Sequence, residues 1–312
     1  MSYAVLCPGQ GAQHAHMLDR VREESLGRDI LDEAQAALGA DITLWLTSPD
    51  AWFRNLNAQP LICIAQLGIW AILRERLPPP IAFAGYSVGE LACYGLAGAL
   101  DATALATLSR ERAERMDRAA AAQPGGLISV RGLTRSRLER LCSLHAASIA
   151  IAVDEDAFVI GGLTPALQAL QDELPRHRAQ ITRLNVGVAS HTPWLVDAVE
   201  SFRAALEHSS MTAPKRPVIA GIDAGLVTTR TRAIATLAEQ VARTVEWAAC
   251  MDSMVERGCR IFLELGPGRA LSTMMRGRHP DVEARSVEEF GSLAATADWV
   301  RRRVEDAAAE AR

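Results

Sequence analysis

Gly85-Tyr86-Ser87-Val88-Gly89 sets one hydroxyl between two glycines, after the apolar run Ile81–Ala84 and before the helix-forming Glu90-Leu91-Ala92. A strand–turn–helix of this kind is a nucleophile elbow, whose glycines allow the sharp turn that lifts the serine clear of a sheet. The helix start offers free amides and a positive dipole end for a developing oxyanion, and Val88 follows the nucleophile where an elbow needs a donor. Gln10 lies in a second glycine-flanked turn, Pro8-Gly9-Gln10-Gly11, where backbone can approach a ligand closely. A serine hydroxyl attacks poorly until a base takes its proton, and the chain holds seven histidines. By itself the elbow fits an esterase as well as a transferase.

The elements that must hold this serine are visible as a pattern. Short apolar runs at Ala4–Cys7, Ile81–Ala84, Val218–Ile222 and Ile261–Leu265 read as buried strands, with helices such as Pro60–Leu77 and Ala102–Ala121 between them. Buried strands alternating with helices predict an α/β fold with a mainly parallel, hydrolase-like sheet. After Pro124-Gly125-Gly126 the pattern changes. Leu127–Val130 reads as a strand, Arg135–Leu144 as a helix, and Ser148–Val153 with Ala157–Ile160 as a strand pair. Pro165–Leu174 follows as a helix and Ile181–Val186 as a strand. That βαββαβ order is a ferredoxin-like unit. The expectation is a large α/β domain over residues 1–124 and 188–312, with a small ferredoxin-like domain inserted at residues 125–187. Ala294–Arg312 reads as a charged surface helix.

At 312 residues, 49% hydrophobic and 22% charged, the chain can bury a core around a wide sheet. A net charge of −4 argues against nucleic acid as the main partner. The start, MSYAVLCPGQG, reads as a first strand, lacking the basic and long apolar stretches of a signal peptide. The apolar window Leu61–Leu73 reads as too short for a bilayer and carries Gln66, so no membrane partner is expected. Six cysteines stand singly, without a CxxC pair or a Cys/His cluster. Reduced thiols, no metal site and a cytoplasmic location follow as expectations.

Taken together, Cys7-Pro8-Gly9-Gln10-Gly11-Ala12-Gln13 and Gly85–Glu90 resemble the PGQGxQ and GxSxGE signatures of the malonyl-CoA:acyl-carrier-protein transacylases. The similarity continues through Ala189-Ser190-His191, Glu239-Gln240 with Val245 and Trp247, and Glu264-Leu265-Gly266-Pro267-Gly268. The resemblance implies that Ser87 is the nucleophile and His191 its base, with the main-chain carbonyl of Gln240 orienting the imidazole in place of a carboxylate. It implies Gln10 and Val88 as oxyanion-hole donors through their amides. It also implies Arg112 as the fork that holds a malonyl carboxylate, with Met116 on the same helix face and Tyr86 beside the nucleophile. Malonyl-CoA is then the donor substrate, no cofactor is permanently bound, and an acyl-carrier protein is the partner.

Several positions depart from the fatty-acid type. Tyr86 replaces a histidine, Ala113 and Asp117 replace glycine and glutamine, and Asp154-Glu155-Asp156 replaces an asparagine-rich turn. With Asn57-Ala58-Gln59-Pro60-Leu61, these features are most similar to the epsilon subunits of malonate decarboxylase. Such subunits load a small carrier that bears a phosphoribosyl-dephospho-CoA group. A fatty-acid or polyketide transacylase is the alternative. A serine hydrolase would need an acidic triad member, and its candidates Asp154 to Asp156 fall in the presumed inserted domain. A silent scaffold would have no use for Ser87, His191 and Gln10 together.

Overall fold

A computed structural model describes residues 2–310. The chain opens with β1 (Ser2–Cys7), α1 (Asp19–Glu23), α2 (Ser25–Leu38), α3 (Pro49–Phe53) and α4 (Asn55–Arg74). The elbow region follows as β2 (Ala82–Gly85), α5 (Val88–Leu96) and α6 (Ala102–Ala120). Next come β3 (Gly125–Arg131), α7 (Arg135–Leu144), β4 (Ala147–Ala152), β5 (Ala157–Leu163), α8 (Thr164–Glu173) and β6 (Gln180–Arg183). Then α9 (Val196–His208), β7 (Val218–Ile219), β8 (Leu226–Val227), α10 (Arg230–Gln240) and α11 (Trp247–Glu256) lead to β9 (Cys259–Glu264). The chain ends with α12 (Ala270–Arg278), β10 (Glu283–Ser286) and α13 (Leu293–Glu310).

Six strands form one sheet in the order β10-β9-β1-β2-β7-β8, parallel throughout except for the β7–β8 pair. β1 lies near its centre and is covered on both faces, as a strand reading Tyr-Ala-Val-Leu-Cys requires. Tyr3, Val5 and Cys7 enter the core with α4, α5 and α6, whereas Ala4 and Leu6 enter the one with α11 and α12. A second, four-stranded sheet, β4-β5-β3-β6, is antiparallel at every pairing. With α7 and α8 it has the βαββαβ order and the strand arrangement of a ferredoxin-like unit.

Several boundaries differ from the sequence reading. α4 begins at Asn55 and carries Pro60 as its sixth residue, beyond the free amides of the first turn, so one intrahelical bond is missing there. Its 20 residues are long enough to cross a bilayer, with a mean hydropathy of 1.5, which corrects the expectation of too short a stretch. Yet 89% of that window is buried inside the protein, so α4 is a core helix. The strand expected over Val218–Ile222 stops at Ile219, and β8 and β10 are short strands that two or four residues of sequence do not announce. β6 ends at Arg183 instead of Val186. The terminal helix is not simply a charged surface helix. Ala297, Trp299 and Val300 are buried, while residues 311 and 312 lie outside the described residues. All six cysteines are free and buried.

Phe262, fully buried at the middle of β9, fills the core shared by the sheet and α12. Phe262→Ala should lower unfolding stability by about 3–5 kcal/mol. Urea unfolding followed by far-UV circular dichroism checks this; a loss below about 1 kcal/mol would mean that the core repacks.

Candidate active site

β2 ends at Gly85, directly beside Cys7 at the end of β1. Tyr86 donates its amide to the Cys7 carbonyl at 2.9 Å, and α5 begins one residue after Ser87. Ser87 has φ 56°, a left-handed conformation that a side chain adopts only when its surroundings impose it. Two glycines let the neighbouring backbones meet. A Cβ on Gly89 would lie 2.0 Å from the Cys7 carbonyl oxygen, and one on Gly9 would lie 2.6 Å from that of Tyr86. Among the described residues, the amides of Val88 and Gln10 hydrogen-bond to no protein acceptor. Both amides are therefore left free to donate beside the elbow.

His191 is buried, with Nε2 2.8 Å from Ser87 Oγ. Its Nδ1 lies 2.6 Å from the main-chain oxygen of Gln240, which can only accept. Nδ1 therefore carries the proton, and the Nε2 lone pair faces the serine hydroxyl. Gln240 is the last residue of α10, where carbonyls lack intrahelical donors, so its oxygen is available. A further bond, from the His191 amide to the Val241 carbonyl at 2.8 Å, fixes the backbone beneath the ring. Burial, with the Arg112 cation next in weight, lowers the His191 pKa to about 3 against the pull of the Gln240 carbonyl. The imidazole is thus neutral across the whole physiological range, with its Nε2 lone pair unprotonated.

Arg112 is 1% exposed on α6, whose start is capped by the Asp101 side chain accepting from the Ala104 amide at 2.7 Å. Its Nη1 donates to Gln59 Oε1 at 2.8 Å and its Nη2 to Gln240 Oε1 at 3.0 Å. Among the described residues it forms no ion pair. Burial lowers its pKa to about 10, which leaves it cationic at neutral pH. Met116, one turn along the same face, is also buried, and its sulfur accepts from Gln59 Nε2 at 3.6 Å.

The sequence reading missed the amides that join these groups. Asn55 Oδ1 accepts from Gln59 at 2.8 Å and from the Gln10 side chain at 3.2 Å. Asn55 Nδ2 in turn donates to Asp117 at 2.7 Å. Asp117 therefore acts on the Gln10 turn through Asn55, a link the sequence signals only by placing a carboxylate five residues after Arg112. The Gln240 side chain is not the surface amide that residue type suggests; it is wholly buried.

A cavity of about 310 Å³ lies between the carboxyl ends of the large-sheet strands and the small sheet, lined by Gln10, Tyr86, Ser129, Arg131, Phe158 and Met274. This is where open α/β sheets receive ligands. Tyr86 packs edge-on against Trp247, with ring centroids 5.5 Å apart. A second cavity of about 470 Å³ reaches His191 along the seam formed by α7, β4 and residues 242–246. Val153 and Ala157 flank the first cavity, but the acidic turn between them is tied elsewhere: the Asp154 carboxylate pairs with Arg278, which also grips Asp252 at 2.7 Å. Neither Asp154 nor its neighbours partner His191, so the acid a hydrolase triad would need is not supplied there. Among the described residues, no group of three or more His, Cys, Asp or Glu is placed to hold a metal ion.

A parallel sheet beside a small antiparallel one, with an elbow serine 2.8 Å from a buried imidazole, is the arrangement of the acyltransferase fold. The chain belongs to the acyl transferase domain family, which it matches over residues 5–291. It is 27% identical to the malonyl CoA-acyl carrier protein transacylase of Haemophilus influenzae, over 96% of this chain and 99% of that protein. The mitochondrial malonyl-CoA-acyl carrier protein transacylase of Homo sapiens is 30% identical, over 87% of this chain and 76% of that protein. The crystal structure of malonyl-CoA:acyl carrier protein transacylase from Xanthomonas oryzae superposes with a TM-score of 0.89 at 28% identity, covering 95% of this chain and 98% of that one.

A neutral His191 has a direct consequence for pH. Because its folded pKa lies below the ordinary 6.5, the folded site stays deprotonated as the pH falls through that value. The same depression contributes stability that is present above pH 6.5 and lost as the pH falls toward about 3. Labelling of Ser87 by a neutral fluorophosphonate should therefore hold within about twofold from about pH 8 to about pH 5. A loss of about tenfold centred near the ordinary histidine value would contradict the depressed pKa.

Proposed function

We propose that this chain transfers a malonyl group from malonyl-CoA to the thiol of an acyl-carrier protein through a malonyl ester on Ser87. The observation that carries the reading is Arg112, a buried cation whose hydrogen-bond partners among the described residues are two amide oxygens and no carboxylate. A buried charge without an ion-pair partner is costly, and a planar carboxylate is the ligand that fits a guanidinium fork. Malonyl thioesters bring such a carboxylate; acetyl thioesters do not.

In the proposed first half-reaction, the thioester carbonyl sits against the amides of Gln10 and Val88. Ser87 Oγ attacks the carbonyl carbon while His191 Nε2 takes the hydroxyl proton. The carbon–sulfur bond breaks, and His191 returns the proton to the departing coenzyme A sulfur. In the second, the carrier thiol gives its proton to His191 and attacks the ester carbonyl; the ester bond breaks and Ser87 regains the proton. Proton balance is complete, and the chemistry asks for no resident cofactor. Losing one oxyanion donor would cost about 2.7–4 kcal/mol of transition-state stabilisation.

The relatives named above all carry the name of an acyl carrier protein. That favours a carrier of the fatty-acid or polyketide type as acceptor. A second reading, the malonate decarboxylase carrier with its phosphoribosyl-dephospho-CoA arm, draws on Tyr86 at the cavity wall and on the Asp117–Asn55 bond behind the Gln10 turn. Both readings share the same chemistry on Ser87.

With malonyl-CoA and no acceptor, mass spectrometry should find one malonyl group on the Ser87 peptide and none in Ser87→Ala. In Arg112→Ala, the malonyl-to-acetyl rate ratio should fall about ten- to a hundredfold, the size of a lost charged hydrogen-bond pair. Arg112→Lys should restore it only in part. An unchanged ratio in both variants would move the carboxylate clamp elsewhere.

The acceptor is decided by kcat/KM for the two carriers at equal malonyl-CoA, because that ratio reports discrimination between competing substrates. A fatty-acid carrier with ordinary phosphopantetheine should be used at least about tenfold better. Preference for the phosphoribosyl-dephospho-CoA carrier would reverse the order of the two readings.

A further inference from the structure

We propose that Glu90 is a positioning residue for acyl selectivity, orienting the Gln240 side chain and competing through it with the substrate's carboxylate for the charge of Arg112. This rests on the reading of Arg112 as the malonyl clamp.

Glu90 lies in the first turn of α5, three residues beyond Ser87, and is wholly buried. Instead of capping its own helix, its Oε2 accepts from the Gly221 amide at 2.9 Å and from Gln240 Nε2 at 2.5 Å. Gln240 Nε2 also donates to the Ser87 carbonyl at 3.2 Å, so both amide hydrogens are used. Its Oε1 is then committed to Arg112, while its main-chain oxygen holds His191. Flipping the amide would set Oε1 against the Glu90 carboxylate and Nε2 against the guanidinium, two repulsions at once. Glu90 thereby sets the orientation of a residue that touches both the base and the clamp.

The second oxygen of Glu90, Oε1, has no partner among the described residues. A proton placed there leaves both hydrogen bonds at Oε2 intact. Glu90 can change charge without dismantling the network. The groups facing it are Arg112 on α6, Asp223 after β7, Cys93 and Tyr94 on α5, and Cys250 on α11. Arg112 is the cation among them. Burial pushes the Glu90 pKa up to about 7, despite the bonds from Gly221 and Gln240.

Below that value Glu90 is neutral, and the whole charge of Arg112 is available to an acyl carboxylate. Above it, Glu90 is an anion sharing the same guanidinium, and the carboxylated donor loses part of its advantage. An acetyl group does not sense the change, and the titration of His191 acts on both donors alike, so their ratio isolates Glu90.

The test is kcat/KM for acyl-enzyme formation from malonyl-CoA and from acetyl-CoA, between about pH 6 and about pH 8.5. The wild-type malonyl-to-acetyl ratio should fall about three- to tenfold as the pH rises. In Glu90→Gln the ratio should stay within about twofold. A wild-type ratio that is high but flat, or an equal slope in Glu90→Gln, overturns this role while leaving the clamp at Arg112. A ratio near unity at every pH, unmoved by Arg112→Ala, overturns both. Should Glu90→Gln fail to fold, proton exchange in weakly buffered wild-type protein decides the matter. Acylation by malonyl-CoA near pH 7 should take up protons that acylation by acetyl-CoA does not; equal uptake refutes the coupling.

Discussion

The arrangement around Ser87 depends on two backbones meeting closer than side chains allow. β1 and β2 run parallel and end in register, so the turn that leaves β1 and the elbow that leaves β2 press against each other. Hydrogen on the α-carbon is all that fits at Gly89 and Gly9. That crowding brings the Gln10 turn to the elbow and holds Ser87 in its left-handed conformation. Burial of β2 on both faces, Phe83 in one core and Ala82 and Ala84 in the other, supplies the rigidity, because such a strand cannot shift to relieve a strained residue just beyond its end.

Around this contact the protein arranges neutral groups where many hydrolytic sites use charged ones. A main-chain carbonyl at the end of α10 orients the imidazole, and a carboxylate stands one amide further away. Asn55, Gln59 and Gln240 carry the connections between helices α4, α6 and α10 and the Gln10 turn. Amides suit this task because each can accept from one element while donating to another. They also keep the two buried charges, Arg112 and Glu90, apart. A direct ion pair would quench the guanidinium that is meant to hold a ligand, whereas an intervening amide fixes it and weakens the pull of Glu90 on its charge.

Much of this was legible in the residues. The elbow announced itself because tight turns leave glycines, and the βαββαβ order survived because its apolar runs are long enough to show alternation. His191 and Gln240 needed the family resemblance, since a lone histidine and a helix-end glutamine carry no local signal. Two short strands escaped for a physical reason: β8 and β10 are held by their neighbours and not by their own pattern. The burial of α13 and the start of α4 were misjudged likewise, because the packing of Trp299 and the bonding partners of Asn55 are properties of the tertiary fold. Nothing in the local sequence around Glu90 or Gln59 reveals what each faces, because the partners lie 150 and 53 residues away.

The pairing of the small sheet with the rest of the chain has a bearing on behaviour at high concentration. Along β4, an edge strand, the Ala152 amide bonds to the Val245 carbonyl and the Val245 amide to the Ala150 carbonyl, both at 2.9 Å. Arg135 closes the same seam with two 2.8 Å bonds to Glu246. The opposite edge, β6, is four residues long and reads Gln-Ile-Thr-Arg; the large sheet ends in the charged β10 and the two-residue β8. Each of the four sheet edges is therefore paired, charged or too short to template another strand. An enzyme with so apolar an interior can accumulate without strand-to-strand aggregation between copies, and substitutions that lengthen β6 or remove its arginine are the ones that would open that route.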